Sequence, residues 1–104
     1  MNKKTNQITA VGSSAVTIKG NLIIKENVII ESNIIGDVNA EGDNITIFIN
    51  GTIEGNINNE NGVVHLHNNS NIKGNIICES IAVDEGAIFN GSIKIQPYYN
   101  KKNN

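Results

Sequence analysis

The chain has 104 residues, which is enough for one domain with a small interior. It is 38% hydrophobic with a net charge of -2, and it contains two histidines, one cysteine and no tryptophan. These numbers argue against a basic nucleic-acid-binding surface, an internal disulfide and a transmembrane helix of about 18 apolar residues. Isoleucine and valine supply most of the apolar content, and asparagine and glycine are plentiful, which predicts short strands joined by tight turns.

The chain divides into a patterned middle and two polar ends. Residues 1–10 are predicted to be a flexible tail, and their basic start is not followed by the apolar run of a signal peptide. We therefore expect a cytoplasmic protein. Residues 11–95 carry the pattern and are predicted to form the single domain. Residues 96–104 are predicted to be a second polar tail, since Pro97 removes a backbone donor.

A five-residue motif recurs five times in the middle region, in the order apolar, any residue, glycine, small polar, aliphatic. Its first copy is Ile18–Leu22, and the intervals between successive glycines are 16, 19, 19 and 17 residues. Glycine is expected at a corner because it turns the chain at low steric cost, and the polar residue after it can hydrogen-bond local backbone. We expect turn insertions at residues 41–44, 60–62 and 68–71 to absorb the unequal intervals. The corner glycines are Gly20, Gly36, Gly55, Gly74 and Gly91.

Short stretches of strict alternation lie between the motifs, such as Ile45, Ile47 and Ile49, and alternation indicates one buried face. Strands this short suit the stacked turns of a solenoid, about 4.8 Å apart, better than a sandwich. The pattern therefore predicts an all-β, single-domain parallel β-helix of about five to six turns of 16–19 residues. Three inner columns are expected: Ile18, Ile34, Ile53, Ile72 and Phe89; Leu22, Val38, Ile57, Ile76 and Ile93; and Ile24, Ala40, Asn59, Cys78 and Ile95, in which Asn59 is a mismatch.

The recurrent glycine corners resemble the bactofilins, bacterial cytoskeletal proteins with a right-handed parallel β-helix core. The resemblance covers roughly residues 11–95. Residues 85–91 are similar to the closing turn of the family, and residues 11–20 are similar to its first turn. The resemblance implies end-to-end assembly into filaments without a nucleotide or other cofactor, and a scaffolding role for cell-wall or morphogenesis proteins in cell shape. It allows a place in the cytoplasm or at the inner face of the membrane.

Physical reasoning also predicts that the chain polymerises with itself. An uncapped solenoid leaves unpaired backbone and an open apolar cross-section at each end, and no capping helix is visible in the sequence. Ends can join head to tail or like with like, and the resemblance favours the second, non-polar arrangement. The residues predicted to form the polymerisation ends are Phe89, Ile93 and Ile95 at one end and Val11, Val16 and Ile18 at the other.

His65 and His67 are the only candidate metal ligands of the histidine type. Their i, i+2 spacing on a strand places both imidazoles on one face, and that face should be exposed because Leu66 should point to the core. A metal site would need a third ligand, expected from a neighbouring subunit, so no metal is predicted. Asp84 and Glu85 are expected to be solubilising charges in an exposed turn.

Two kinds of enzyme and one kind of surface-binding protein are alternatives to a filament-forming structural protein. A left-handed β-helix acyltransferase would show a six-residue period, which the uneven spacing lacks, and a metal-dependent trimeric enzyme would use His65 and His67. An adhesin or ice-binding surface would need threonine ladders at the repeat period, which are absent from the sequence. We therefore predict a structural protein with no catalytic residues. Cys78 is expected to be a small core residue.

Overall fold

The computed structural model describes residues 8–97, and its regular structure there consists of parallel β-strands. Each strand pairs with the strand that occupies the same position one turn away, so the chain winds through about five turns of a β-helix. The predicted fold class is confirmed. The strands are β1 (Thr9–Val11), β2 (Thr17–Lys19), β3 (Leu22–Ile24), β4 (Val28–Ile30), β5 (Asn33–Ile35), β6 (Val38–Ala40), β7 (Thr46–Ile49), β8 (Thr52–Glu54), β9 (Ile57–Leu66), β10 (Asn71–Lys73), β11 (Ile76–Val83), β12 (Ile88–Asn90) and β13 (Ile93–Ile95).

The helix has three faces. Face 1 is a five-stranded sheet of β2, β5, β8, β10 and β12. Face 2 consists of β3, β6, the first parts of β9 and β11, and β13. Face 3 consists of β1, β4, β7 and the last parts of β9 and β11. Faces 2 and 3 belong to one eight-stranded sheet, because β9 and β11 run through the corner between them.

Inward-pointing side chains form the core, and its columns follow the strand register. Face 1 aligns Ile18, Ile34, Ile53, Ile72 and Phe89 as predicted. The predicted column of face 2 that begins at Leu22 is likewise confirmed by its pairings. The third column is confirmed in two parts, Ile24 with Ala40, and Asn59 with Cys78 and Ile95. The middle turns exclude solvent completely: Ile34, Ile53 and Ile72 are 0% exposed. Burying each such side chain contributes about 1.5–3 kcal/mol, so like-on-like stacking is the main source of stability.

The glycine at each corner between faces 1 and 2 has a positive φ, for example 155° at Gly55 and 151° at Gly74. Successive corners are also in very close contact. A Cβ on Gly55 would collide with the carbonyl oxygen of Gly36, and a Cβ on Gly74 would collide with that of Gly55. Glycine is therefore required here both for its backbone conformation and for the spacing of the turns.

The polar residues after these glycines form a ladder along the helix axis. Asn21 Oδ1 accepts a hydrogen bond from the Asp37 amide at 2.8 Å, and Asp37 Oδ1 accepts one from the Asn56 amide at 2.9 Å. Asn56 and Asn75 continue the series with acceptor bonds of 3.0 Å from Asn75 and 3.2 Å from Ser92. The expected local hydrogen bond is thus wrong, since each side chain bonds the backbone of the next turn.

Asn59 explains why the third column tolerates a polar residue. It is 1% exposed, and its Nδ2 donates to the carbonyl oxygens of Ile45 at 2.9 Å and Val63 at 3.0 Å. These bonds satisfy the Nδ2 donors of the buried amide group at the corner between faces 2 and 3, whereas its Oδ1 has no hydrogen-bond partner within residues 8–97. Residues 60–62 remain inside β9, but three residues there face a single residue of β11, between the pairs Asn59–Cys78 and Val63–Ser80. The predicted insertion is therefore present as a bulge within the strand and not as a separate turn.

The other predicted turns and tails can be compared with the positions of the strands. Residues 41–44 and 68–70 lie in connections, whereas Asn71 already belongs to β10. β1 begins at Thr9, two residues before the predicted start of the domain. The rest of the predicted tails, residues 1–7 and 98–104, lies outside the described residues.

Replacing Gly55 with alanine should destabilise the protein more than replacing Gly20. Both residues have positive φ, 155° and 135°, but an added Cβ at Gly20 meets no atom within 4 Å, whereas at Gly55 it meets backbone. The backbone strain alone should lower the free energy of unfolding by about 1–3 kcal/mol. Thermal unfolding followed by circular dichroism measures the difference. Equal melting temperatures for the two variants would contradict the close packing of the corners.

Candidate functional site

The C-terminal end of the helix presents a strand edge on every face. Within residues 8–97, β12 pairs with β10, β13 pairs with β11, and the last part of β11 pairs with β9, each on one side only. Such edges offer unpaired N–H and C=O groups to another chain. The same end exposes apolar side chains, with 38% of Ile93, 43% of Ile95 and 53% of Val83 accessible to solvent. Phe89 is half-buried against the core.

The N-terminal end mirrors this arrangement. Within the described residues, β1, β2 and β3 each pair on one side, with β4, β5 and β6. Val16 is 41% exposed, while Val11 and Ile18 are half-buried against the core. Both ends therefore combine open hydrogen-bonding edges with apolar side chains that a further turn would cover.

Away from the two ends, a cluster of polar side chains lies on the outward side of face 3. His65 Nε2 lies 2.9 Å from Asp84 Oδ1, and His67 Nδ1 lies 3.1 Å from Asp84 Oδ2, so that ring N–H groups donate to both carboxylate oxygens. The two imidazoles stack with centroids 4.3 Å apart. Their hydrogen bonds, that of His65 first, hold the pKa of the Asp84 carboxyl below its usual value.

Phe48 supports this group from the preceding turn. Its ring stacks on His67 with centroids 5.5 Å apart and an interplanar angle of 12°, and it meets His65 at 5.6 Å in a tilted arrangement. The expectation that Asp84 only solubilises a turn is wrong, because its carboxylate joins both histidines. The expected need for a neighbouring subunit is also wrong, since the third ligand-type group belongs to the same chain.

A family model described as polymer-forming cytoskeletal, that of the bactofilins, matches residues 17–94. The chain belongs to the bactofilin family. The match runs from β2 into β13 and so covers nearly the whole helix. No curated protein and no solved structure matches the chain.

Because the bactofilins are a polymer-forming family, the positions of the six predicted end residues are of interest. All six lie in the first or last turn of the helix, but polymerisation through them stays a prediction. Sequence reasoning missed Val83, which lies at the C-terminal end although it is not in the last motif. The register could have revealed it, because Val83 ends the inner column of face 3 that begins at Val11. That column contains Val11, Ile30, Ile49, Leu66 and Val83.

Cys78 lies in the core of this bactofilin, as predicted. It is 0% exposed and stands between Asn59 and Ile95 in the inner column of face 2. Burial raises the pKa of the thiol to about 11, so the sulfur stays protonated at neutral pH.

No helix within residues 8–97 has the length and apolar character needed to cross a bilayer.

The Cys78 thiol should resist modification by Ellman's reagent at pH about 8, because the reactive thiolate is scarce and the sulfur is buried. Full reaction should require denaturant. A Ser80→Cys variant provides the matched control, since residue 80 lies two positions along β11 and is exposed. That variant should release one equivalent of thionitrobenzoate rapidly, and rapid release of one equivalent from the parent would contradict a buried thiol.

Proposed function

We propose that this bactofilin is a structural protein of the bacterial cytoplasm that assembles end to end into filaments without a nucleotide. The filaments would serve as a scaffold for cell-shape or cell-wall machinery. The observation that carries the proposal is the pair of uncapped ends in a chain of a polymer-forming cytoskeletal family. Membership of a structural family also favours this function over the acyltransferase and metal-enzyme alternatives.

The affinity of one end for another has two physical sources. Pairing of strand edges satisfies backbone groups on all three faces at once, which extends the parallel or antiparallel ladder into the next chain. Covering the apolar side chains at the ends adds about 25 cal/mol for each Å² removed from water. Neither source requires a bound cofactor, which agrees with assembly that needs no nucleotide.

Replacing Ile95 with arginine should prevent filament growth, because a charge would be buried in the joint between two ends. Ile95 is a cleaner probe than Phe89, since Phe89 packs against the core and its replacement would disturb the last turn. The matched control is Ile35→Arg. Ile35 and Ile95 are both 43% exposed, but Ile35 lies on the outward side of β5 in the body of the helix.

Negative-stain electron microscopy without added nucleotide measures the outcome. We expect long filaments for the parent and for Ile35→Arg, and short species for Ile95→Arg. A parent that stays monomeric at high concentration and across a range of salt would contradict the proposal. Equal filament lengths for the two variants would exclude the C-terminal end as the joint.

The size of the short species should reveal how the ends pair. If like ends join, as the resemblance favours, Ile95→Arg should stop at a dimer held through two unmodified N-terminal ends. Adding Val16→Arg should then convert that dimer into a monomer. Analytical ultracentrifugation measures both states. A monomer from Ile95→Arg alone would instead indicate head-to-tail joints, because each such joint needs one C-terminal end.

A further inference from the structure

The outward side of face 3 brings three metal-ligating side chains together. Ligand atoms of His65, His67 and Asp84 all lie within 4.8 Å of one another. The fold places them by register. His65 and His67 point outward because Leu66 between them is buried, and the Asp84 amide donates to the Leu66 carbonyl at 2.8 Å. The backbone ladder therefore sets Asp84 directly beside the two histidines.

The neighbours of the two rings hold them in place and leave the approach open. Phe48 is the register partner of His65 in the preceding turn, and it stacks on His67. Ala82 is the partner of His65 in the following turn. The side chains of His65, His67 and Asp84 are 27%, 29% and 44% exposed, so an ion can reach them from solvent. Packing of this kind around ligating groups restricts their rotamers, so little ordering remains to be done when an ion binds.

The donor set selects a class of ion. Two imidazole nitrogens and one carboxylate oxygen suit Zn²⁺ and similar first-row transition metals, whereas Ca²⁺ and Mg²⁺ prefer sets made of oxygen alone. Tetrahedral Zn²⁺ holds its donor atoms about 3.3 Å apart, as bonds of about 2.0–2.1 Å require. His65 Nε2 lies 2.9 Å from Asp84 Oδ1, and His67 Nδ1 lies 3.1 Å from the other carboxylate oxygen, Oδ2. With one ligand atom taken from each residue, the three atoms lie within 4.8 Å of one another.

We propose that His65, His67 and Asp84 form a binding site for a divalent transition metal ion of the Zn²⁺ class, with a fourth position open to water. His65 would bind through Nε2 and His67 through Nδ1. Both imidazoles would bind as neutral rings with their proton on the other nitrogen, and the metal would replace their two hydrogen bonds to the carboxylate. The proposal does not rest on polymerisation, because all three ligands belong to one chain.

Metal binding should stiffen the C-terminal turn. Asp84 directly follows β11, whose last part is the C-terminal edge strand of face 3 and pairs with β9. His65 belongs to β9, and His67 directly follows its last residue, Leu66. A shared ion would therefore cross-link the last two strands of face 3, and binding to the folded state alone raises the melting temperature.

Equilibrium dialysis of the full chain, prepared without a histidine tag, against Zn²⁺ measures the stoichiometry and affinity. We expect one Zn²⁺ per chain, a melting temperature that rises with Zn²⁺, and visible absorption bands of tetrahedral coordination when Co²⁺ is used as the probe. His65→Ala and Asp84→Asn should each weaken Zn²⁺ binding by at least about 10-fold, the loss that even outer-shell changes cause.

Asp43→Asn is the matched control, because Asp43 is an exposed carboxylate in the turn before β7 and lies outside the cluster. It should bind Zn²⁺ as the parent does. Asp84→Asn keeps the size of the side chain and so separates loss of a ligand from loss of the fold, which circular dichroism checks. Stoichiometry far below one, equal binding of Mg²⁺, or unchanged Zn²⁺ affinity in Asp84→Asn and His65→Ala would overturn the proposal.

Discussion

The close approach of successive turns at the glycine corner constrains the whole molecule. At the corner between faces 1 and 2, the carbonyl oxygen of one glycine occupies the space that a Cβ of the next would need, as between Gly36 and Gly55. Every turn must therefore repeat the same backbone path there. Because the path repeats, inner side chains stack on equivalent side chains, and the polar residue after each glycine reaches the amide of the next turn.

That constraint also explains what could be predicted from sequence. The glycine motif marks one corner in each turn, so residues counted from it fall into register, and the columns that contain Ile53 and Ile57 could be predicted correctly. The same counting identified Asn59 as a mismatch. Its role could not be predicted, because the carbonyl groups that it binds become its neighbours only when residues 60–62 stay inside β9.

The association of Asp84 with the histidines was beyond prediction for a related reason. Counting from the glycines fails on face 3, since the register between β9 and β11 shifts between Cys78 and Ser80. Asp84 is 17 residues from His67 and 19 from His65, and both separations are within the range of one turn. The pairing of the strands determines which outward side chains of face 3 are neighbours. The sequence has no periodic glycine on this face from which that pairing could be counted.

The two candidate sites meet at the end of β11. Val83 points into the exposed C-terminal cross-section, and the next residue, Asp84, joins the cluster on the outside of face 3. One short edge strand thus contributes to the surface available for assembly and to the candidate metal site. An ion held by Asp84 would restrict the motion of the edge that a second chain has to pair with.

The small number of turns determines how many chains the cell must make for a given length of filament. Each face contains five strand positions along the axis. At a strand spacing of about 4.8 Å, one chain lengthens the proposed filament by roughly 24 Å, so each micrometre contains about 400 chains. The total length of filament in a cell would then be set directly by the copy number of the protein, and a modest change in expression would add or remove a visible length of polymer.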